Sequence, residues 1–137
     1  MSGFQIKTND GVTIHFKYYS EAPETSKAFD ASLPFTKTFF HAKVSGEEIW
    51  TDNAPELDII QENSSVFIHP GEVVIGPLNP SRNKVVKCMG VMYGEGKLLD
   101  CGNIFAKVYD EDLPKLVNLG LKHWREGFQE LTFEKLN

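Results

Sequence analysis

Residues 36–50, TKTFFHAKVSGEEIW, contain two strand-forming segments on either side of a tight turn. The first segment, residues 36–44, is rich in Thr, Phe and Val, which favour strands. Ser45 and Gly46 are typical turn residues, and GEEIW follows them. The pattern predicts two successive strands of a β-rich fold.

The sequence before this stretch predicts a β-hairpin and a short helix. Residues 4–8 and 14–18 alternate between apolar and polar side chains, and the turn cluster Asn9-Asp10-Gly11 lies between them. In EAPETSKAFDASLPF, Pro23 suits a first helical turn and Pro34 ends the helical pattern.

The sequence after this stretch predicts a polar loop, five more strands and a second helix. Gly90 falls inside a predicted strand and indicates a bend or bulge there. The strand segments are SSVFIHPGEVVIGP, which Pro70-Gly71 divides into two, NKVVKCMGVMYG (83–94), GNIFAKVY (102–109) and QELTFEKL (129–136).

Helical spacing of apolar residues predicts the second helix. Pro114 lies in its first turn and Gly127 just beyond its end. The residues expected to form its apolar face are Leu113, Leu116, Val117, Gly120, Leu121 and Trp124.

About eight strands and two helices predict a mainly β, α+β fold in which the helices cover the ends of a barrel or a sandwich. The pattern alone does not choose between these two. Without an internal repeat, linker or low-complexity tract, residues 1–137 are expected to form a single domain.

Composition limits the classes of function. The formal net charge of −5, without a basic stripe, argues against binding to nucleic acid or to an anionic membrane. Without an apolar signal core or a run of about 20 apolar residues, no membrane partner is expected and the cytoplasm is the expected location. Cys88 and Cys101 are expected to be reduced, partly buried thiols.

The order of hairpin, helix and the segment FFHAKVSGEEIW resembles the first half of a cyclophilin. In that family the hairpin and helix are followed by the motif F-H-R-V-I-P-G-F-M-I-Q-G-G, to which this segment corresponds. The C-terminal segment GNIFAKVYDEDLPKLVNL resembles the closing strand and helix of the same family. The resemblance implies a cyclophilin-like closed β-barrel of about eight strands with two helices.

Departures from the cyclophilin motif argue against prolyl isomerase activity. Ala42 stands at the position of the catalytic arginine, Glu47 at that of a pocket phenylalanine, and Trp50 at that of a glutamine. An isomerase needs a guanidinium to hydrogen-bond the proline nitrogen and an apolar floor for the ring. These positions supply neither group.

The segments HAKVSGEEIW and PGEVVIGP resemble a bacterial family of uncharacterised cyclophilin-like proteins more closely. That family is similar to the catalytic domain of cucumopine synthase, which condenses histidine with an α-keto acid without a cofactor. The resemblance implies a cofactor-independent site for a small molecule.

Candidate site residues cluster around the quoted stretch. His41 and Lys43 are two residues apart on a predicted strand and are expected on one face, opposite Phe40, Ala42 and Val44. The His can exchange protons near neutrality and the Lys can hold a carboxylate. A solvated strand face is the alternative.

Acidic residues next to an indole provide the second group of candidates. Glu47 and Glu48 follow the turn and precede Trp50. A carboxyl group against an indole can have its pKa raised into a range useful for acid-base catalysis. Exposed turn glutamates and a core tryptophan are the alternatives.

Three further residues are weaker candidates for ligand binding: His69 and Glu72, on either side of a Pro-Gly turn, and Tyr93, near the end of a strand. A structural turn explains the first two equally well. His15 and His123 are expected at the surface or in packing. We identify no metal or cofactor motif.

Three hypotheses follow. The first is a small-molecule site for a polar, carboxylate-bearing metabolite, in which His41, Glu47 or Glu48 moves protons. Lys43, Trp50, His69, Glu72 and Tyr93 would bind the ligand. The second is a prolyl isomerase or proline-peptide binding module. The third is an interaction domain whose exposed aromatic residues form a homo-oligomer.

Overall fold

Eight strands and two helices form the structure, a computed structural model that describes residues 1–136. The strands are β1 (Gly3–Lys7), β2 (Thr13–Tyr18), β3 (Phe35–His41), β4 (Gly46–Thr51), β5 (Ser64–Ile68), β6 (Glu72–Ile75), β7 (Met89–Val108) and β8 (Gln129–Lys135). The helices are α1 (Pro23–Ala31) and α2 (Leu113–Glu126), the second preceded by a 3₁₀ turn at Asp110–Asp112. The predicted mainly β, α+β class is confirmed.

The strands form one antiparallel sheet that closes in a ring. Neighbouring strands follow the order β2, β1, β8, β3, β4, β7, and the far end of β7 pairs with β2. β7 is long and bent, so that β6 lies between its two arms: Val73 pairs with both Val91 and Ala106. Because every strand of the ring has a partner on each side, the ring encloses a core.

Aromatic side chains fill this core. Phe4 and Phe16 face each other across the β1–β2 hairpin, and their rings stack 4.9 Å apart. Phe29 of α1, Phe105 of β7 and Phe133 of β8 pack around them without solvent exposure. Burying each such ring stabilises the fold by roughly 1.5–3 kcal/mol relative to an exposed ring.

The two helices begin and end as predicted, but the buried face of α2 differs from the expected one. Leu116, Leu119, Gly120 and His123 are buried, whereas Leu121 and Trp124 are exposed. The helix therefore packs on the ring through the face that carries Leu116, Gly120 and His123. In residues 1–136 no helix is long and apolar enough to cross a membrane.

Two predicted strands have different bounds. β3 ends at His41 rather than continuing to Val44, so residues 42–45 form a loop. The segment predicted as a strand from Asn83 contains turns until Cys88, because the Asn83 side chain accepts a hydrogen bond from the Val85 amide at 2.8 Å and donates one to the Cys101 carbonyl. The two strands predicted at 83–94 and 102–109 are arms of the single strand β7.

Candidate functional site

A cavity of about 620 Å³ opens beside β4. Small-molecule pockets in proteins commonly occupy roughly 300–1,000 Å³, so its size suits a small organic ligand. The lining is mostly apolar and comes from the end of β3 and its loop, from β4, from the end of β6, from residues 84–88 and from β7. It comprises Phe40, His41, Ala42, Lys43, Val44, Ser45, Glu48, Trp50, Asp52, Val74, Ile75, Gly76, Lys84, Val85, Cys88, Met89, Gly90, Leu98 and Leu99.

The register of β4 determines which of its side chains reach this cavity. Ile49 is fully buried in the core of the ring. Because side chains alternate along a strand, Glu48 and Trp50 point to the outer face, where the cavity lies. Phe40 pairs with Trp50 across the β3–β4 ladder and lines the same cavity.

Glu48 is the buried acid of the cavity. Its side chain lies over Gly90, where an added Cβ would be 1.7 Å from Oε2, and the residue is only 5% exposed. The Ser45 hydroxyl donates a hydrogen bond to Oε1. Burial raises the pKa of Glu48 to about 7, and the Ser45 hydrogen bond opposes this shift only in part. Glu48 can therefore accept or donate a proton near neutral pH.

Other ionisable groups surround Glu48 at the cavity. Burial, and then the negative charges of Asp52 and Glu48, raise the pKa of the Cys88 thiol, so this thiol stays protonated at neutral pH. Lys43 and Lys84 are exposed and border the cavity. The cavity thus has acids along β4 and two cations at its rim.

His41 borders the cavity, but its ring is bound on the other side of the sheet. It pairs with the buried Ile49, and its Nδ1 lies 2.8 Å from the Ala42 carbonyl oxygen. Because a carbonyl only accepts, Nδ1 carries the hydrogen in the neutral ring, and Nε2 accepts a hydrogen bond from the Tyr93 hydroxyl at 2.7 Å. The expectation that His41 opposes Phe40 is correct, but Phe40 and not His41 shares the face of Glu48 and Trp50.

Lys43 lies in the loop and not on a strand, so the predicted alternation ends before it. Phe40, Ala42, Lys43 and Val44 all line the cavity. Regular strand geometry would have placed Lys43 on the face opposite the other three. The main-chain hydrogen bond from the Ala42 amide to the Glu48 carbonyl, at 2.9 Å, marks where the chain turns into β4.

Glu47 and Tyr93 lie outside the cavity lining. Glu47 is exposed, and its carboxyl packs against Gly94. Tyr93 is buried against Gly120 of α2, and burial, together with the charge of Glu47, raises the pKa of its hydroxyl. The structure therefore gives Tyr93 a packing position behind His41 and separates Glu47 from Glu48.

His69 and Glu72 form a separate structural cluster. Glu72 accepts hydrogen bonds from the His69 amide at 2.7 Å and from the Tyr19 hydroxyl at 2.7 Å. His69 itself is exposed. Neither residue lines the cavity, and the contacts of Glu72 are those of a structural turn.

The structure adds cavity residues that the sequence interpretation did not select. Asp52 continues the alternation of Glu48 and Trp50 on one face, a signal that the sequence contains. Gly90, at which the sequence predicts a bend or bulge, also lines the cavity. Cys88 reaches the cavity through the turns at residues 83–88, which have no recognisable motif.

A protein-family profile described as "Protein of unknown function (DUF3830)" matches residues 8–135. The fold is similar to that of McbB in complex with tryptophan, with a TM-score of 0.68 and 18% identity over 96% of this chain and 44% of that chain. It is also similar to the solution structure of the hypothetical protein AF2241 from Archaeoglobus fulgidus, with a TM-score of 0.64 and 21% identity over 98% of this chain and 95% of that chain.

These identities indicate a shared fold. The chain spans less than half the length of McbB. No curated protein matches the sequence.

Proposed function

The chain belongs to the DUF3830 family of proteins of unknown function, and we propose that it binds a small carboxylate-bearing organic molecule in the cavity beside β4. Glu48 exchanges a proton with this ligand, and the chemistry uses side chains alone, without a cofactor. The ligand has an apolar body, because most of the cavity wall is apolar.

A single observation carries this proposal: a buried carboxyl group faces an apolar cavity. Carboxyl groups are rarely buried without a cation, since desolvation of the charged form is costly. In the part of the chain that the structure describes, Glu48 forms no ion pair, and its pKa lies near 7. Perturbed acids in clefts are characteristic of sites that move protons.

The other lining residues have distinct roles in the proposed complex. Trp50 and Phe40 supply aromatic surface for the body of the ligand. Lys43 and Lys84 at the rim offset the charge of the ligand carboxylate. His41 and Tyr93 hold the end of β3 in place and do not transfer protons to the ligand.

The similarity to McbB supports the part of the proposal that the ligand is a small organic molecule. That protein has been described in complex with tryptophan, a small molecule with a carboxylate and an aromatic body. Its identity to this chain is too low to transfer the ligand, and the present proposal rests on Glu48 and its cavity.

Thermal-shift screening with keto acids, amino acids and amidic metabolites tests the proposal, because a ligand that binds only the folded state raises its melting temperature. A genuine ligand should lose most of its effect in Glu48→Gln and retain it in Glu47→Gln, which changes a neighbouring exposed glutamate. Failure of every class to shift the wild-type melting temperature would refute the proposal.

An interaction domain is the second candidate, because the aromatic side chains of Phe40, Trp124 and Phe128 are exposed. Trp124 and Phe128 are 67% and 69% exposed, and Phe128 lies 6.0 Å from the ring of Phe40. Light scattering tests this alternative, since a homo-oligomer should dissociate in Phe128→Ser. Prolyl isomerase activity has no comparable support, because no arginine among residues 1–136 lines the cavity.

A further inference from the structure

We propose that the ligand of this cavity carries a basic nitrogen, which binds at the Glu48 oxygen that no protein group occupies. This inference rests on the proposed function and adds the chemical class of the ligand. The ligand is then amino-acid-like: a nitrogen at Glu48, an apolar body over Trp50 and a carboxylate near the rim lysines.

The two carboxylate oxygens of Glu48 have different surroundings. Oε1 accepts the Ser45 hydroxyl, whereas Oε2 lies over Gly90 and accepts no hydrogen bond from any residue that the structure describes. The Glu48 residue is only 5% exposed, and it lines the cavity. Because Oε2 has no donor among the described residues and its residue lines the cavity, an N–H of a bound ligand can donate a hydrogen bond to it.

The groups around this oxygen favour a cation over an anion. Trp50 follows Glu48 on the same face of β4, Phe40 faces Trp50 across the ladder, and Asp52 comes next on that face. Ammonium groups bind aromatic faces and carboxylates, whereas a ligand carboxylate at the same place would meet two acids. The carboxylate therefore belongs near Lys43 and Lys84, at the rim.

Protonation of Glu48 should influence the affinity for the nitrogen. The ionisable groups that line the same cavity are Asp52 after β4, Cys88 and Lys84 on the turns before β7, and His41 and Lys43 at the end of β3 and in its loop. Burial raises the pKa of Glu48 to about 7, so its carboxyl group loses its proton between pH 5 and pH 8. A ligand ammonium should bind more tightly as pH rises through this range.

Three probes with the same phenyl body separate the contributions of the two charged groups: phenylalanine carries both, phenethylamine carries the amine alone, and 3-phenylpropanoate carries the carboxylate alone. Titrations of ¹⁵N-labelled protein at pH 8, followed by ¹H–¹⁵N spectra, give affinity and location together. Shifts are expected at Glu48, Trp50 and Gly90.

We expect phenylalanine and phenethylamine to bind at least tenfold more tightly than 3-phenylpropanoate. Lowering the pH to 5 should weaken both amines severalfold. In Glu48→Gln the advantage of the amines should disappear, whereas Glu47→Gln should retain it.

The outcomes distinguish this inference from the proposed function. If 3-phenylpropanoate binds in the cavity as tightly as phenylalanine, the amine inference is wrong and the proposed function stands. If none of the three shifts a cavity resonance, the amine inference is wrong, and the thermal-shift screen alone decides the proposed function. An amine advantage that persists in Glu48→Gln also overturns the inference, since the nitrogen would then bind elsewhere.

Discussion

The carboxyl group of Glu48 occupies the space that a side chain at Gly90 would require. A Cβ at position 90 would lie 1.7 Å from Oε2 and 2.7 Å from the carboxyl carbon. The two residues are on adjacent strands, since Trp50 of β4 pairs with Gly90 of β7. The absence of a side chain at Gly90 thus leaves the space that the Glu48 carboxyl group occupies.

Gly90→Ala should therefore displace Glu48 and destabilise the protein. Overpacking in a buried position typically costs about 1–3 kcal/mol. We expect a loss of this size in the free energy of unfolding, measured by urea denaturation, together with loss of ligand binding. In a Glu48→Ala background the same substitution should cost much less, because the clashing carboxyl is gone. An equal cost in both backgrounds would show that Gly90 is required for another reason.

Glu48→Gln should change how stability depends on pH. The pKa of Glu48 is raised from 4.5 in the unfolded chain to about 7 in the folded protein, so between these values the folded state binds more protons. The free energy of unfolding contributed by this group is therefore highest below pH 4.5, falls as pH rises toward 7 and stays low above it.

Glutamine is neutral throughout, so Glu48→Gln should remove this decline. Above pH 7 the variant should be more stable than the wild type by up to roughly 3 kcal/mol, and near pH 4 the two should converge. Urea denaturation at several pH values measures the difference curve. A variant less stable than the wild type at pH 8 would contradict the assignment of a raised pKa.

The hairpins and helices were predictable because their signals are local. Alternation in residues 4–8 and 14–18, and proline and glycine at the ends of α2, determine these elements over a few residues. The end of β3 was not predictable, since it depends on where the chain turns into β4. The bend that joins two predicted strands into β7 depends on pairing with β4, β5, β6 and β2 at once.

The candidate site was predictable only in part, for a related reason. A strand pattern shows that Glu47 and Glu48 point to opposite faces, but both faces of β4 are partly covered, so the sequence does not identify the one facing a cavity. The partner of His41 is Tyr93, 52 residues away, and no local pattern connects them. The long-range contacts of the fold therefore bring His41 against Tyr93 and place Glu48 at the cavity.

Tyr93→Phe should test the packing role of this pair. The substitution removes the donor to His41 Nε2 and leaves a partly buried acceptor without a partner. A loss of about 1–2 kcal/mol in the free energy of unfolding is expected. Ligand affinity should change less than twofold, since Tyr93 does not line the cavity. If ligand binding is lost and the free energy of unfolding is unchanged, Tyr93 binds the ligand and the packing role is wrong.

The reactivity of Cys88 should report on the charges in the cavity. Burial and the negative charges of Asp52 and Glu48 raise the pKa of this thiol, and only the thiolate reacts with iodoacetamide. In Cys101→Ser, which leaves Cys88 as the single thiol, alkylation of the folded protein at pH 8 should be slower than alkylation of the same chain in urea.

Neutralising either acid should reverse part of this protection. Adding Asp52→Asn or Glu48→Gln to Cys101→Ser should speed alkylation by at least about twofold, because a nearby negative charge disfavours the thiolate. Glu111→Gln, an exposed change in the turn before α2 and outside the cavity lining, is the matched control and should leave the rate unchanged. Mass spectrometry of quenched time points gives the rates. If neither cavity substitution accelerates the reaction, burial alone protects Cys88, and the acids of β4 do not act on it.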